Sequence, residues 1–90
     1  MIELVQIKKT DTRFELSTVF VNPQHILFLT EDNTYKGYLR EGKINLGLNQ
    51  QTTFTKLKML EGTSSRELTI VGDPKVIQLK MTNKKQLLRD

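Results

Sequence analysis

The sequence predicts a mainly β domain, a small antiparallel barrel or two-sheet sandwich, and leaves open one short C-terminal helix. Three observations predict it: apolar residues recur with period 2 over most of the chain, β-branched and aromatic residues fill those runs, and Gly, Pro, Asn and Asp punctuate them. Roughly six to eight short strands joined locally imply antiparallel hairpins. A chain of 90 residues makes one domain, because a second would leave neither part enough interior to offset the entropy of ordering it. Apolar residues make up only 37% and Trp is absent, so the core is small, and self-association is an expected source of stability.

In chain order, "IELVQIKK" alternates imperfectly around Ile2, Leu4 and Ile7. After a turn at "TDTR", the run "FELSTVFVN" sends Phe14, Leu16, Thr18 and Phe20 one way and Glu15, Ser17, Val19 and Val21 the other. Pro23 stops that strand, since its ring nitrogen cannot donate to a ladder. "HILFLTED" is a further strand, closed by the turn chemistry of Asp32-Asn33. "TTFTKLKML" sets Thr55, Leu57 and Met59 against Lys56 and Lys58. "EGTSSR" reads as a linker-like loop, and "ELTIV" resumes as a strand. Residues 74–81 support two readings: Asp73-Pro74 is a good helix start, while Ile77, Leu79 and Met81 alternate as in a strand. The domain is expected to span residues 1–82, with a polar, basic tail over 83–90.

Between Asp32 and Thr52 lies "GYLREGKINL", in which Gly37, Gly42 and Lys43 have the G-x-x-x-x-G-K spacing of a phosphate-binding loop. That loop requires a Ser or Thr on magnesium and a helix whose N-terminus faces the phosphates. Ile44 occupies the hydroxyl position, and Asn45, Gly47 and Asn49 are poor helix formers. Residues 35–49 instead alternate on both sides of Arg40-Glu41-Gly42. The spacing therefore predicts a β-hairpin, with Gly42 supplying a positive φ at its turn.

Charge is distributed unevenly. The formal net charge is +4, yet Met1 to Asn33 carries three basic residues against five acidic, while the later two-thirds is basic. Such asymmetry suits an acidic partner or nucleic acid, and equally serves solubility.

Catalysis finds little support. Cysteine is absent, which removes thiolate chemistry, disulfides and cysteine metal sites. The single histidine, His25, lies beside a turn with no carboxylate arranged near it, and Ser17, Ser64 and Ser65 lack a nucleophile-elbow context. No catalytic residue, metal site or cofactor is expected. The N-terminal residues lack the pattern of a secretory leader and no window approaches a bilayer span, so the expectation is a cytoplasmic protein without membrane association.

Two binding readings follow. In the first, a non-enzymatic regulatory module docks on a protein partner and self-associates through its strand edges. In the alternative, the hairpin's basic face binds nucleic acid: Lys36, Tyr38, Arg40, Lys43 and Asn45 share one face, Lys56 and Lys58 extend it, the cations tracking phosphates and the ring stacking a base.

The segments "IELVQI", "FELSTVFVNPQHILFLTED" and "ELTIVGDPKVIQL" together resemble the FlbD family of small bacterial flagellum-associated proteins. Asn22, Pro23 and Ile26 match the family's Asn-Pro-x-x-Ile element, and Leu68 to Ile77 match its closing part. The resemblance covers about half of the chain, and the segment from Tyr35 to Gln51 stands as an insertion relative to the family. It implies a non-enzymatic accessory role and favours a helix after Asp73.

Overall fold

The computed structural model describes every residue except Thr12, Asn45, Asn49, Gln50 and Asp90, and over 83–89 it describes the backbone alone. The described strands are β1 (Ile2–Lys9), β2 (Phe14–Val21), β3 (Ile26–Glu31), β4 (Phe54–Glu61) and β5 (Ser64–Val71), with helices α1 (Thr34–Arg40) and α2 (Pro74–Arg89). All pairings are antiparallel, in the order β2-β1-β5-β4-β3. The mainly β fold with one C-terminal helix is therefore present, as a single open sheet. It does not close into a barrel, and β2 and β3 are its edges.

Strand β1 explains the imperfect alternation of its sequence. Ile2, Leu4 and Gln6 are buried on one face, whereas the next buried residue is Ile7, on the other. On the first face Ile2, Leu4, Val21, Leu57, Leu68 and Ile70 pack beneath Ile77 and Met81 of α2. On the second, Ile7 and Phe54 pack with Leu39 of α1 and Ile44 from the segment after it, joined by Phe14, Tyr35, Tyr38 and Val71. Each helix covers one face, and the two cores are separate clusters.

The predicted hairpin over 35–49 is a helix in its first half. Helical spacing puts Tyr35, Tyr38 and Leu39 together on the sheet, which the alternation of the same residues conceals. Asp32 starts that helix, its Oδ1 accepting the Thr34 N–H at 2.9 Å while Oδ2 lies 3.4 Å from the Thr69 hydroxyl. Gly42 does take a positive φ, 75°, but as a helix stop. The Gly42 N–H donates to the Leu39 carbonyl at 3.2 Å and the Lys43 N–H to the Tyr38 carbonyl at 2.9 Å, the paired bonds of a Schellman motif. This role accounts for the Gly-Lys pair that resembles a phosphate loop.

Two other readings change. "EGTSSR" is not a linker: Glu61 pairs with Ser64, and Gly62-Thr63 alone makes the turn, with Gly62 at φ 63°, as a two-residue hairpin with glycine first requires. The segment after Asp73 is helical, and the helix continues through the expected tail to Arg89. Pro74 occupies the first helical position and the Asp73 carboxylate accepts the Lys75 N–H at 2.8 Å, so the donor missing from proline costs nothing there.

Phe54 is fully buried where β4 meets α1. Phe54→Ala should cost about 3–5 kcal/mol, enough to unfold much of a marginal domain, whereas Leu79→Ala, on the exposed side of α2, should change stability by less than about 0.5 kcal/mol. Urea denaturation followed by circular dichroism measures both.

Candidate interaction surface

The seven residues singled out from the sequence do not form one platform. Lys36 is partly buried on α1, with its ammonium 3.9 Å from the Glu31 carboxylate. Arg40 is exposed at the end of that helix, and Lys43 follows it, 3.0 Å from Glu41. Asn45 lies outside the described residues. Lys56 and Lys58 project from one face of β4, as the alternation predicted, and Lys56 lies 3.8 Å from Glu67. Local carboxylates thus offset three of these cations. Exposed pairs of this kind add at most about 1 kcal/mol each to stability, but they lower the local potential available to a phosphate chain.

Tyr38 is not presented for stacking. Its ring packs against Phe14 at 5.6 Å and Tyr35 at 6.0 Å between centroids, and the ammoniums of Lys9 and Lys43 lie over it at 5.6 and 5.7 Å. The ring therefore closes the second core, with two ammonium groups already over it. A nucleobase would have to displace contacts that hold α1 on the sheet.

A different surface emerges at the far end of β4. Phe28 pairs across strands with Lys58, whose Nζ lies 5.8 Å from the Phe28 ring, and Leu60 stands two residues further along β4 on the same face. Phe28 and Leu60 are 45% and 44% exposed. The cause is length: a helix of seven residues extends about 10 Å, whereas the eight residues of β4 extend about 26 Å, so α1 covers the Phe54 end and stops short of Leu60. Leu27, 54% exposed, joins this corner because a register shift between Ile26 and Phe28 turns both Ile26 and Leu29 toward the first core. The extra residue at such a bulge is left unpaired. Sequence reasoning missed these side chains by assigning apolar residues inward. The signal available was the run "ILFL", whose four consecutive apolar residues exceed what a strand with one buried face can hide.

Other chemistry is sparse. A groove of about 200 Å³ between Pro23-Gln24 and α2 is lined also by Gln78, Met81 and Thr82, with no acid or base among them and less volume than most small-molecule sites have. Among the described residues no three His, Cys, Asp or Glu side chains are grouped to hold a metal ion, and His25 is exposed. No described helix is long and apolar enough to cross a membrane. No protein-family model, no curated protein and no solved structure matches this chain.

The phenol of Tyr35 titrates above its ordinary value of 10.0, first because burial disfavours the phenolate, then through repulsion from Asp32 and Tyr38. The folded state holds this proton more tightly than the unfolded state, so the associated stability is complete below the unfolded pKa and is lost as pH rises through the folded one. Melting temperatures recorded from about pH 8 to about pH 12 should fall more steeply for the wild type than for Tyr35→Phe. Equal slopes would remove Tyr35 as the cause.

Proposed function

We propose that this protein is a non-enzymatic, self-associating regulatory module that docks on a protein partner, and that the corner formed by Leu27, Phe28, Leu60 and Lys58 is the docking surface. The observation that carries the reading is the clustering of three exposed large apolar side chains beside one lysine, at an end of the sheet that neither described core covers. Aromatic and aliphatic anchors of this kind dominate protein interfaces, with a charge at the rim setting orientation. An acidic or neutral partner surface suits the lysine. The resemblance to the FlbD family, which implies an accessory role, supports the same reading.

The alternative, nucleic-acid binding, rests on the exposed Arg40 and on Lys43, Lys56 and Lys58. It has less support, because carboxylates accompany Lys43 and Lys56 and the Tyr38 ring is engaged.

The test uses tagged full-length protein, with Phe28→Ser/Leu60→Ser as the comparison, and quantitative mass spectrometry of bound proteins after nuclease treatment. Both substituted residues are partly exposed, so the variant's circular dichroism should match the wild type. One protein should be enriched by the wild type, lose about tenfold or more with the variant, and survive a rise from about 50 to about 200 mM salt. Enrichment unchanged by the substitutions would overturn the assigned surface. Bound material consisting of nucleic acid that the same rise in salt removes would favour the alternative.

A further inference from the structure

The two edges of the sheet are unequal. Strand β3 follows Pro23, has six residues and contains the register shift at Leu27, features that blunt an edge. Strand β2 has eight residues in unbroken register with β1, contains no proline and carries one charge, Glu15.

Its free hydrogen-bonding groups can be assigned. The Thr10 N–H donates to the Arg13 carbonyl at 2.8 Å, so this pair faces inward across the hairpin. Bonded and non-bonded pairs alternate along an antiparallel ladder, and the register continues through Lys9↔Phe14, Ile7↔Leu16, Val5↔Thr18 and Glu3↔Phe20. Phe14, Leu16, Thr18 and Phe20 therefore direct their N–H and C=O groups away from β1. Among the described residues no backbone group receives or donates a bond there. The same four side chains share one face, on which Leu16 is 37% and Phe20 64% exposed.

We infer that β2 pairs antiparallel with β2 of a second copy about a dyad through Thr18, so that the two sheets continue as one. The inference rests on the self-association proposed above and gives its location and register. Backbone parity allows only registers that set these even-numbered residues against one another. In the register centred on Thr18, Leu16 faces Phe20 of the second copy and Phe20 faces its Leu16, covering the two exposed apolar side chains of the strand by each other. Thr18 meets Thr18, Ser17 meets Val19 and Glu15 meets Val21, so no like charges are opposed. The edge is thus complementary to itself in hydrogen bonds, apolar surface and charge, which is what a two-fold interface requires.

The chain has no cysteine, so single-cysteine variants read the register directly. Opposed, hydrogen-bonded residues lie about 5.5 Å apart between Cα atoms, within disulfide reach. Neighbouring registers of the same parity would place Ser17 or Val19 on the dyad instead. The expected result is twice the 10.4 kDa chain mass by light scattering at low and high salt, a covalent dimer on oxidation of Thr18→Cys, and none from Ser17→Cys or Val19→Cys. Thr18→Lys, which opposes two cations on the dyad, should halve the mass and leave the monomer's circular dichroism unchanged. A wild-type monomer, or a dimer that Thr18→Lys leaves intact, would overturn edge pairing, and cross-linking through position 17 or 19 instead of 18 would overturn the register. Partner docking is read from Phe28 and Leu60 at the other edge, so either proposal can fail while the other stands.

Discussion

Between Gln6 and Ile7 strand β1 changes the face it buries, and a sheet built on such a strand has to be covered from both sides. One short helix cannot do that. Helix α2 covers the face of Ile2 and Leu4, and α1 with Ile44 covers the face of Ile7 and Phe54. Because β1 pairs on both sides, with β2 and β5, its change of face is transmitted to every neighbour in register: Phe54 opposes Val71 on one face while Leu57 opposes Leu68 on the other. The division into two small cores follows from this constraint. So do the exposed corners, since two partial covers on opposite faces leave uncovered apolar side chains on both edge strands.

Asp32 connects the cores to the covering helix. Its side chain is 6% exposed, and a carboxylate taken out of water is costly unless donors replace the lost hydration. The Thr34 N–H provides one, and the Thr69 hydroxyl, on β5, lies within 3.4 Å. The first is an unsatisfied donor at the start of α1, and the second belongs to the sheet under it. A single side chain thus orients the helix relative to the strands, and it raises the Tyr35 pKa from the same position. Asn22 and Asp73 repeat the local part of this device, each accepting the N–H two residues on at a turn of helix that begins with proline.

The strands were legible because period 2 is a local property, and the start of α2 was visible in Asp73-Pro74. What misled was local as well. Tyr35, Tyr38 and Leu39 satisfy helical spacing and Tyr35, Gly37 and Leu39 satisfy alternation; the surfaces that decide between them, Ile7 and Phe54, are remote in sequence. "SSR" at the start of β5 read as loop because Ser64, Ser65 and Arg66 are all exposed, leaving no alternation to detect. Of the candidate surface, the outward face of Lys56 and Lys58 was legible. Phe28 and Leu60 beside it were not, since their exposure depends on how far a seven-residue helix reaches along an eight-residue strand.

The charge distribution bears on function through the same geometry. Three of the described cations on and beside the second face have a carboxylate within 4 Å: Lys36 with Glu31, Lys43 with Glu41, Lys56 with Glu67. By contrast the segment from Asp73 to Asp90 carries five basic residues against two acidic ones, so much of the net charge belongs to α2. That helix packs on the first face, opposite Phe28, Lys58 and Leu60. A long-range field centred on α2 can accelerate encounter with an acidic partner, while affinity depends on desolvated contacts elsewhere. On the proposed reading attraction and anchoring fall to different faces of the domain, an arrangement that suits recognition of a protein with both an acidic surface and an apolar pocket better than it suits a phosphate chain, whose charge would need the cations and the stacking rings side by side.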